Sequence, residues 1–227
     1  MERTIPISFR SDGLTLKGKL HLPNAKWPPL VIGCHGLMST GNSPKQIALA
    51  NQCNHAGIAY FRFDHRGCGE SDGVIETDTS LQARYNDLSS ALQTIRSLDR
   101  TSEDIWLFGS SMGGAVCLAF AGTQLVKSIV TVAALYQSKG IIDKPDMNLS
   151  FDLSEYLPKI KNILIFHGDQ DNVVPLSHAK TIYSHAQNPK KMIIQKNGDH
   201  RMSKKSHQEA FVREAVGWFK KSFDLNK

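Results

Sequence analysis

The sequence predicts an α/β fold: a mostly parallel, eight-stranded sheet with helices on both faces, opened by an antiparallel hairpin. Three observations predict it. From residue 30 onward, apolar runs of strand length alternate with longer stretches of helical periodicity, the order expected of parallel strands joined by helical crossovers. Runs such as Leu30–Cys34, Ile105–Phe108 and Ile163–Phe166 are apolar or small throughout instead of alternating, as strands buried on both sheet faces must be. The chain has 227 residues, 41% of them hydrophobic and 21% charged, so residues 1–227 read as one domain able to bury its own core.

Each element has its own signal. Thr4–Arg10 and Leu14–Leu22 alternate with period two and are joined through Ser11-Asp12-Gly13, a hairpin signature. Leu30–Cys34 is a short strand after Pro28-Pro29, and Pro44–Ala56 a helix closed by Gly57. Ile58–Phe63 is the next strand, and Ser80–Leu98 a helix capped by Thr79 or Ser80. The strand Ile105–Phe108 leads into a helix Met112–Ala121. Ser128–Leu135 and Ile163–Phe166 are apolar, β-branched strands; Leu176–Ala186, Lys191–Gln195 and Ser206–Phe223 follow as helix, strand and helix. Tyr136–Pro158 has no strong periodicity and is expected to cover the site as a short cap, about residues 137–158.

Composition narrows the function classes. The net charge of +6 is modest, and its Lys and Arg residues are scattered or in small pairs such as Lys204/Lys205. Nucleic-acid binding calls for a basic stripe interleaved with aromatics, and none is present. No run approaches the roughly 18 apolar residues of a membrane span, and Met1–Gly13 lacks the apolar core of a secretory signal. The four cysteines, Cys34, Cys53, Cys68 and Cys117, stand at neither metal-ligand nor disulfide-framework spacing; reduced thiols in a cytoplasm are expected. No metal or organic cofactor is expected. Asp169 and Asp171 lack a calcium-loop glycine, and Gly67-x-Gly69 lacks the third glycine of a dinucleotide site, position 72 being Asp72.

In a parallel sheet, ligands bind at the carboxyl ends of the strands, so the residues that follow each strand carry the functional reading. After Ile105–Phe108 comes Gly109-Ser110-Ser111-Met112-Gly113, a G-x-S-x-G pattern between a strand and a helix. A sharp strand-to-helix turn of this kind exposes its central Ser, with flanking glycines avoiding backbone clashes; Ser111 is the candidate nucleophile. The Met112 N–H is one candidate oxyanion donor. The Leu37 N–H, in His35-Gly36-Leu37 after Leu30–Cys34, is the other. His35 itself is expected to bridge loop backbones.

Chain order for such a site is nucleophile, acid, histidine. Of the histidines after a plausible acid, His178 and His185 fall within a predicted helix and His207 opens the terminal one. His200, in Gly198-Asp199-His200 just past Lys191–Gln195, stands on a loop at a strand's carboxyl end and is the candidate base. After Ile163–Phe166, His167-Gly168-Asp169-Gln170-Asp171 offers two carboxylates. Asp171 is favoured as the acid, and Asp169 is expected to form an Asx turn with loop backbone.

With these motifs in this order, the chain resembles small α/β-hydrolase esterases over nearly its whole length. The motifs are His35-Gly36-Leu37, Asp64-His65-Arg66-Gly67-Cys68-Gly69-Glu70-Ser71, Gly109–Gly113, His167–Asp171 and Gly198-Asp199-His200. The resemblance implies the α/β-hydrolase fold, Asp171 as the acid, and a pocket framed by the D-x-R-G-x-G-x-S loop at 64–71. It is similar to the intracellular cinnamoyl- or feruloyl-esterase-like carboxylesterases and to serine peptidase-like relatives, with a shorter insertion that implies a more open pocket. The implied activity is hydrolysis of a small-molecule carboxylic ester of a small or medium acyl group through an acyl-enzyme on Ser111; amide, peptide or thioester hydrolysis would use the same parts, and a non-catalytic ligand-binding module on the same fold is the remaining alternative.

Overall fold

The computed structural model describes residues 3–141, 147 and 149–224. β1 (Arg3–Ser11) and β2 (Leu14–Leu22) pair antiparallel, Arg3 opposite Leu22 and Ser11 opposite Leu14. Their link, Asp12-Gly13, has positive φ at both residues, +46° and +85°, which matches the right-handed twist of the strands it joins. β2 pairs antiparallel with β4 (Ala59–Phe63). From there every pair is parallel, through β3 (Leu30–Cys34), β5 (Ile105–Ser110), β6 (Ser128–Val132), β7 (Ile163–Gly168) and β8 (Lys190–Gln195). The order is β1-β2-β4-β3-β5-β6-β7-β8, an eight-stranded α/β-hydrolase sheet with its hairpin at one edge.

Alternation along the strands sorts the core onto the two sheet faces. Ile105 and Leu107 of β5 pack with Leu88 and Ile95 of α3 (Leu81–Ser97), with α4 (Met112–Ala121) and with Ala179 and Ile182 of α5 (Ser177–His185). Trp106 and Phe108 point the other way, to Leu49 and Cys53 of α1 (Pro44–His55) and Phe211 and Phe219 of α6 (Lys205–Asp224). Ser80 is the cap of α3, its Oγ accepting the Ala83 N–H at 3.0 Å.

Several boundaries differ from the sequence reading. β5 and β7 run two residues further, because Gly109 and Ser110 still pair with β3 and β6, and His167 and Gly168 with β8. β6 ends at Val132, not Leu135: Ala133 turns the chain out of the sheet with φ +51°. Ala134 and Leu135 are apolar because they are buried in loop against α4 and the core. Two short helices, α2 (Ile75–Asp78) and the 3₁₀ turn Leu157–Lys159, are too brief to show periodicity.

The segment expected to form a cap lies partly outside the described residues, at 142–146 and 148. Its described part folds back on itself, the Ser138 N–H donating to Phe151 O (3.0 Å) and Leu153 N–H to Tyr136 O (2.8 Å). It anchors Met147, Leu149, Leu153 and Leu157 in the core on the α3–α4 side. Among the described residues no helix is long and apolar enough to cross a membrane.

The loop after β4 is fastened to α3 through Asp87, whose buried carboxylate accepts from Arg66 Nε (3.0 Å), Arg66 Nη2 (2.7 Å), the Arg66 N–H (3.1 Å) and His65 Nδ1 (3.2 Å). Burial alone would raise its pKa, but the His65 bond and the Arg66 guanidinium hold it well below the usual carboxylate range. A carboxyl depressed by folding contributes stability that is complete above its unfolded value, about 3.9, and is lost progressively below it. Asp87→Asn is therefore expected to lower stability at pH 7 by about 3–5 kcal/mol, and urea unfolding should show the gap to wild type closing toward pH 3. A pH-independent gap would mean that the lost contribution is packing, not charge.

Candidate active site

Ser111 sits where β5 gives way to α4, with φ +54° and ψ −122°. That backbone region is sparsely populated for a residue with a Cβ and stores of order 1–3 kcal/mol of strain. Close packing explains the turn's composition: a Cβ on Gly113 would lie 2.2 Å from the Cys34 carbonyl oxygen. The Ser111 N–H is held by Val132 O at 2.9 Å, while α4 directs the unpaired amides of its first turn toward the site.

The loops after β7 and β8 meet at Gly168 and Gly198. A Cβ on Gly168 would lie 2.1 Å from Gly198 O, and the Gln170 N–H donates to that same oxygen at 3.0 Å. Their contact brings three side chains into line. His200 Nδ1 lies 2.8 Å from Asp171 Oδ2, and His200 Nε2 lies 3.2 Å from Ser111 Oγ. With Nδ1–H donating a hydrogen bond to the carboxylate, Nε2 is free to accept the Ser111 hydroxyl proton.

Asp171 is fixed by more than the histidine. Its Oδ1 accepts the Val173 N–H (2.9 Å) and the Val174 N–H (2.8 Å), and its side chain is fully buried. Burial would raise the carboxyl, yet the His200 bond and the two amides outweigh it and lower the pKa, so the group is a carboxylate at neutral pH. The Asx turn expected at Asp169 thus belongs to Asp171, and Asp169 is exposed. Asp199 caps its own loop by accepting the Ser203 N–H at 2.8 Å, pointing away from a role as acid.

On the opposite wall, His35 bridges backbones as expected. Its Nε2 accepts the His65 N–H at 3.0 Å and its Nδ1 bonds Gly36 O at 2.7 Å; burial lowers its pKa and keeps the ring neutral. Gly36 stands against Ser111, a Cβ there falling 3.5 Å from Ser111 Cβ. Among the described residues, neither the Leu37 N–H nor the Met112 N–H has a hydrogen-bond partner, which leaves both amides available to an incoming oxygen. Two of the other late histidines are away from this line: the His178 ring packs on Tyr136 at 4.9 Å, and His185 bonds Thr181 O.

Two buried residues beside this line make contacts that the sequence reading does not assign. His167, buried at the end of β7, donates its Nε2–H to Val174 O (2.8 Å) and lies 3.4 Å from Asp171 Oδ2, closing the loop after β7. Arg84, fully buried on α3, donates Nη2 to Leu37 O at 3.0 Å and Nη1 to Gly36 O at 3.3 Å. Its signal was a charged residue on the helix's apolar stripe, in step with Leu81, Leu88 and Ala91. Among the described residues no group of three or more His, Cys, Asp or Glu side chains is placed to hold a metal ion.

This sheet and strand-to-helix turn define the α/β-hydrolase fold. Residues 26–161 match the family described as Serine aminopeptidase, S33, and the chain belongs to that family. It is similar to the uncharacterized protein YfhR of Escherichia coli strain K12, 27% identical over 206 residues that cover 83% of this chain and 70% of that protein. It is similar also to the mitochondrial palmitoyl-protein thioesterase ABHD10 of Bos taurus, 26% identical over 223 residues, 81% of this chain and 71% of that one. The structure of Est1E from Butyrivibrio proteoclasticus with bound ferulic acid superposes with a TM-score of 0.83 over 96% of this chain and 99% of that chain, at 22% identity.

Proposed function

We propose that the protein hydrolyses carboxylic esters of small or medium acyl groups through an acyl-enzyme on Ser111. The observation that carries this reading is the continuous line Asp171–His200–Ser111, at 2.8 Å and 3.2 Å. His200 removes the Ser111 proton as Oγ attacks the carbonyl carbon. The Leu37 and Met112 amides stabilise the oxyanion, and Asp171 holds the imidazole in its Nδ1–H tautomer and stabilises the imidazolium. His200 then protonates the departing alcohol, and water repeats the attack to release the acid and restore Ser111. No cofactor enters any step. The four buried free thiols support a reducing cytoplasm as its compartment.

Thioester hydrolysis is a second reading, favoured by the thioesterase name of the bovine relative. Peptide hydrolysis, which the family's description suggests, calls for a carboxylate to seat a free amine. Of the candidates in the 137–158 segment, Asp143 and Asp146 lie outside the described residues, Asp152 is engaged by the Ser154 N–H and Oγ, and Glu155 is exposed.

Intact-mass labelling with a fluorophosphonate, wild type against Ser111→Ala, tests the nucleophile. A panel of p-nitrophenyl esters of rising chain length, an acyl thioester and an aminoacyl p-nitroanilide tests the substrate. One label per wild-type chain, none on the variant, and turnover of the short esters ahead of the anilide are expected. Labelling equal in both proteins would remove Ser111, and a faster anilide would make the protein a peptidase.

A further inference from the structure

Arg84 is an expensive residue to bury. It is fully enclosed, its Nε has no hydrogen-bond partner, and among the described residues no carboxylate lies within ion-pair distance of it. Asp87, one turn along the same helix, is committed to His65 and Arg66. Taking a guanidinium out of water without a counter-ion is strongly unfavourable, and an unsatisfied buried donor adds to the penalty. A packed hydrophobic side chain would serve the core of α3 better.

What the guanidinium does touch is the short loop His35-Gly36-Leu37, with Cys68 beside it. Nη1 faces His35 O (3.5 Å) and Gly36 O (3.3 Å), and Nη2 donates to Leu37 O (3.0 Å) and Cys68 Sγ (3.4 Å). His35 Nδ1 and Arg84 Nη1 therefore both hold the Gly36 carbonyl. In a trans peptide the C=O and the next N–H lie in one plane and point in opposite directions. Holding Gly36 O toward Arg84 turns the Leu37 N–H away from it, and holding Leu37 O fixes the following plane. Hydrogen bonds also polarise one another along a chain, so a cation on the Gly36 carbonyl makes the Leu37 N–H a stronger donor.

From this geometry we infer that Arg84 is a positioning residue for the oxyanion hole, aiming and polarising the Leu37 amide through the Gly36–Leu37 peptide with His35 as its second support. The inference rests on the proposed reaction at Ser111. A positioned donor matters most when negative charge has developed on the substrate oxygen, so the effect belongs to the transition state, not to substrate binding.

The test is ester kinetics of Arg84→Met and Arg84→Lys, with rates expressed per site titrated by fluorophosphonate. Inhibition by a trifluoromethyl ketone, whose tetrahedral adduct places an oxyanion in the hole, is measured on the same proteins. Arg84→Met is expected to lose about 100-fold in kcat, with KM within about threefold and the ketone weakened by a factor similar to the loss in kcat. Arg84→Lys, which keeps a charge but not the two-pronged geometry, should fall between. A merely structural role would reduce the number of titratable sites while each retained wild-type turnover, and that result would overturn the proposal. So would a lower kcat with undiminished ketone affinity. Should Arg84→Met not fold, Arg84→Ala measured with and without methylguanidinium replaces it, and a lack of rescue in a folded protein counts against the inference. A wild type that neither takes the label nor turns over an ester would instead defeat the reading of Ser111.

Discussion

Ser111→Ala is expected to lower ester turnover by about 10⁶-fold, the loss seen when a nucleophile is removed from a cooperating triad. The fold should survive, because alanine fits wherever the serine Cβ does and the turn's backbone bonds do not involve Oγ. The same position carries a second expectation. Alanine keeps the Cβ and with it the strain at φ +54°, ψ −122°, whereas glycine adopts that conformation freely. Ser111→Gly should release roughly 1–3 kcal/mol of strain and give back about 0.5–1 kcal/mol as added freedom of the unfolded chain. With a net gain of about 1 kcal/mol, it should melt some 2–4 °C above Ser111→Ala. Turnover by Ser111→Ala at even a few per cent of wild type would exclude Ser111 as nucleophile. Equal melting temperatures for the two variants would mean that the turn stores no more strain than the roughly 0.5–1 kcal/mol that glycine gives back.

That strained turn was legible in the sequence because glycines two residues either side of a serine, between an apolar strand and a small-residue helix, have few other uses. The sheet was legible for a similar reason: runs such as Ile105–Phe108 and Ile163–Phe166 are apolar at every position only when both faces are covered. Legibility stopped where a residue's role depends on distant partners. Ala133-Ala134-Leu135 looks like continued strand, because apolar character reports burial and not dihedral angle; the turn at Ala133 has no local signal. Asp169 and Asp171 share a loop and a chemistry, and what separates them is that only Asp171 meets the Val173 and Val174 amides and His200 together. Arg84 was harder still. Its meaning lies in three carbonyls some 47 to 49 positions away in sequence, and nothing in the helix around it names them.

The choice between those two aspartates yields the second large effect. Asp171→Asn is expected to reduce turnover by about 10⁴-fold, and the hydrogen bonds on its other oxygen explain why the isosteric change should be so damaging. The Val173 and Val174 amides donate to Oδ1, and an NH₂ group cannot accept them, so the asparagine must keep its carbonyl oxygen there. Its NH₂ is then forced into the place of Oδ2, facing His200 Nδ1. A donor in that place selects the tautomer with a bare Nδ1 and its proton on Nε2, which points at Ser111 Oγ. The imidazole then offers the serine a proton instead of accepting one, and the attacking oxygen is never activated. Asp169→Asn, changing an exposed carboxylate outside this chain of bonds, should leave kcat within about twofold, as surface substitutions away from such features do little. Steady-state kinetics on the two variants, with circular dichroism to confirm folding, separates the assignments. A large loss at Asp169 with little at Asp171 would move the acid two residues back and break the line from Asp171 through His200 to Ser111 on which the proposed reaction depends.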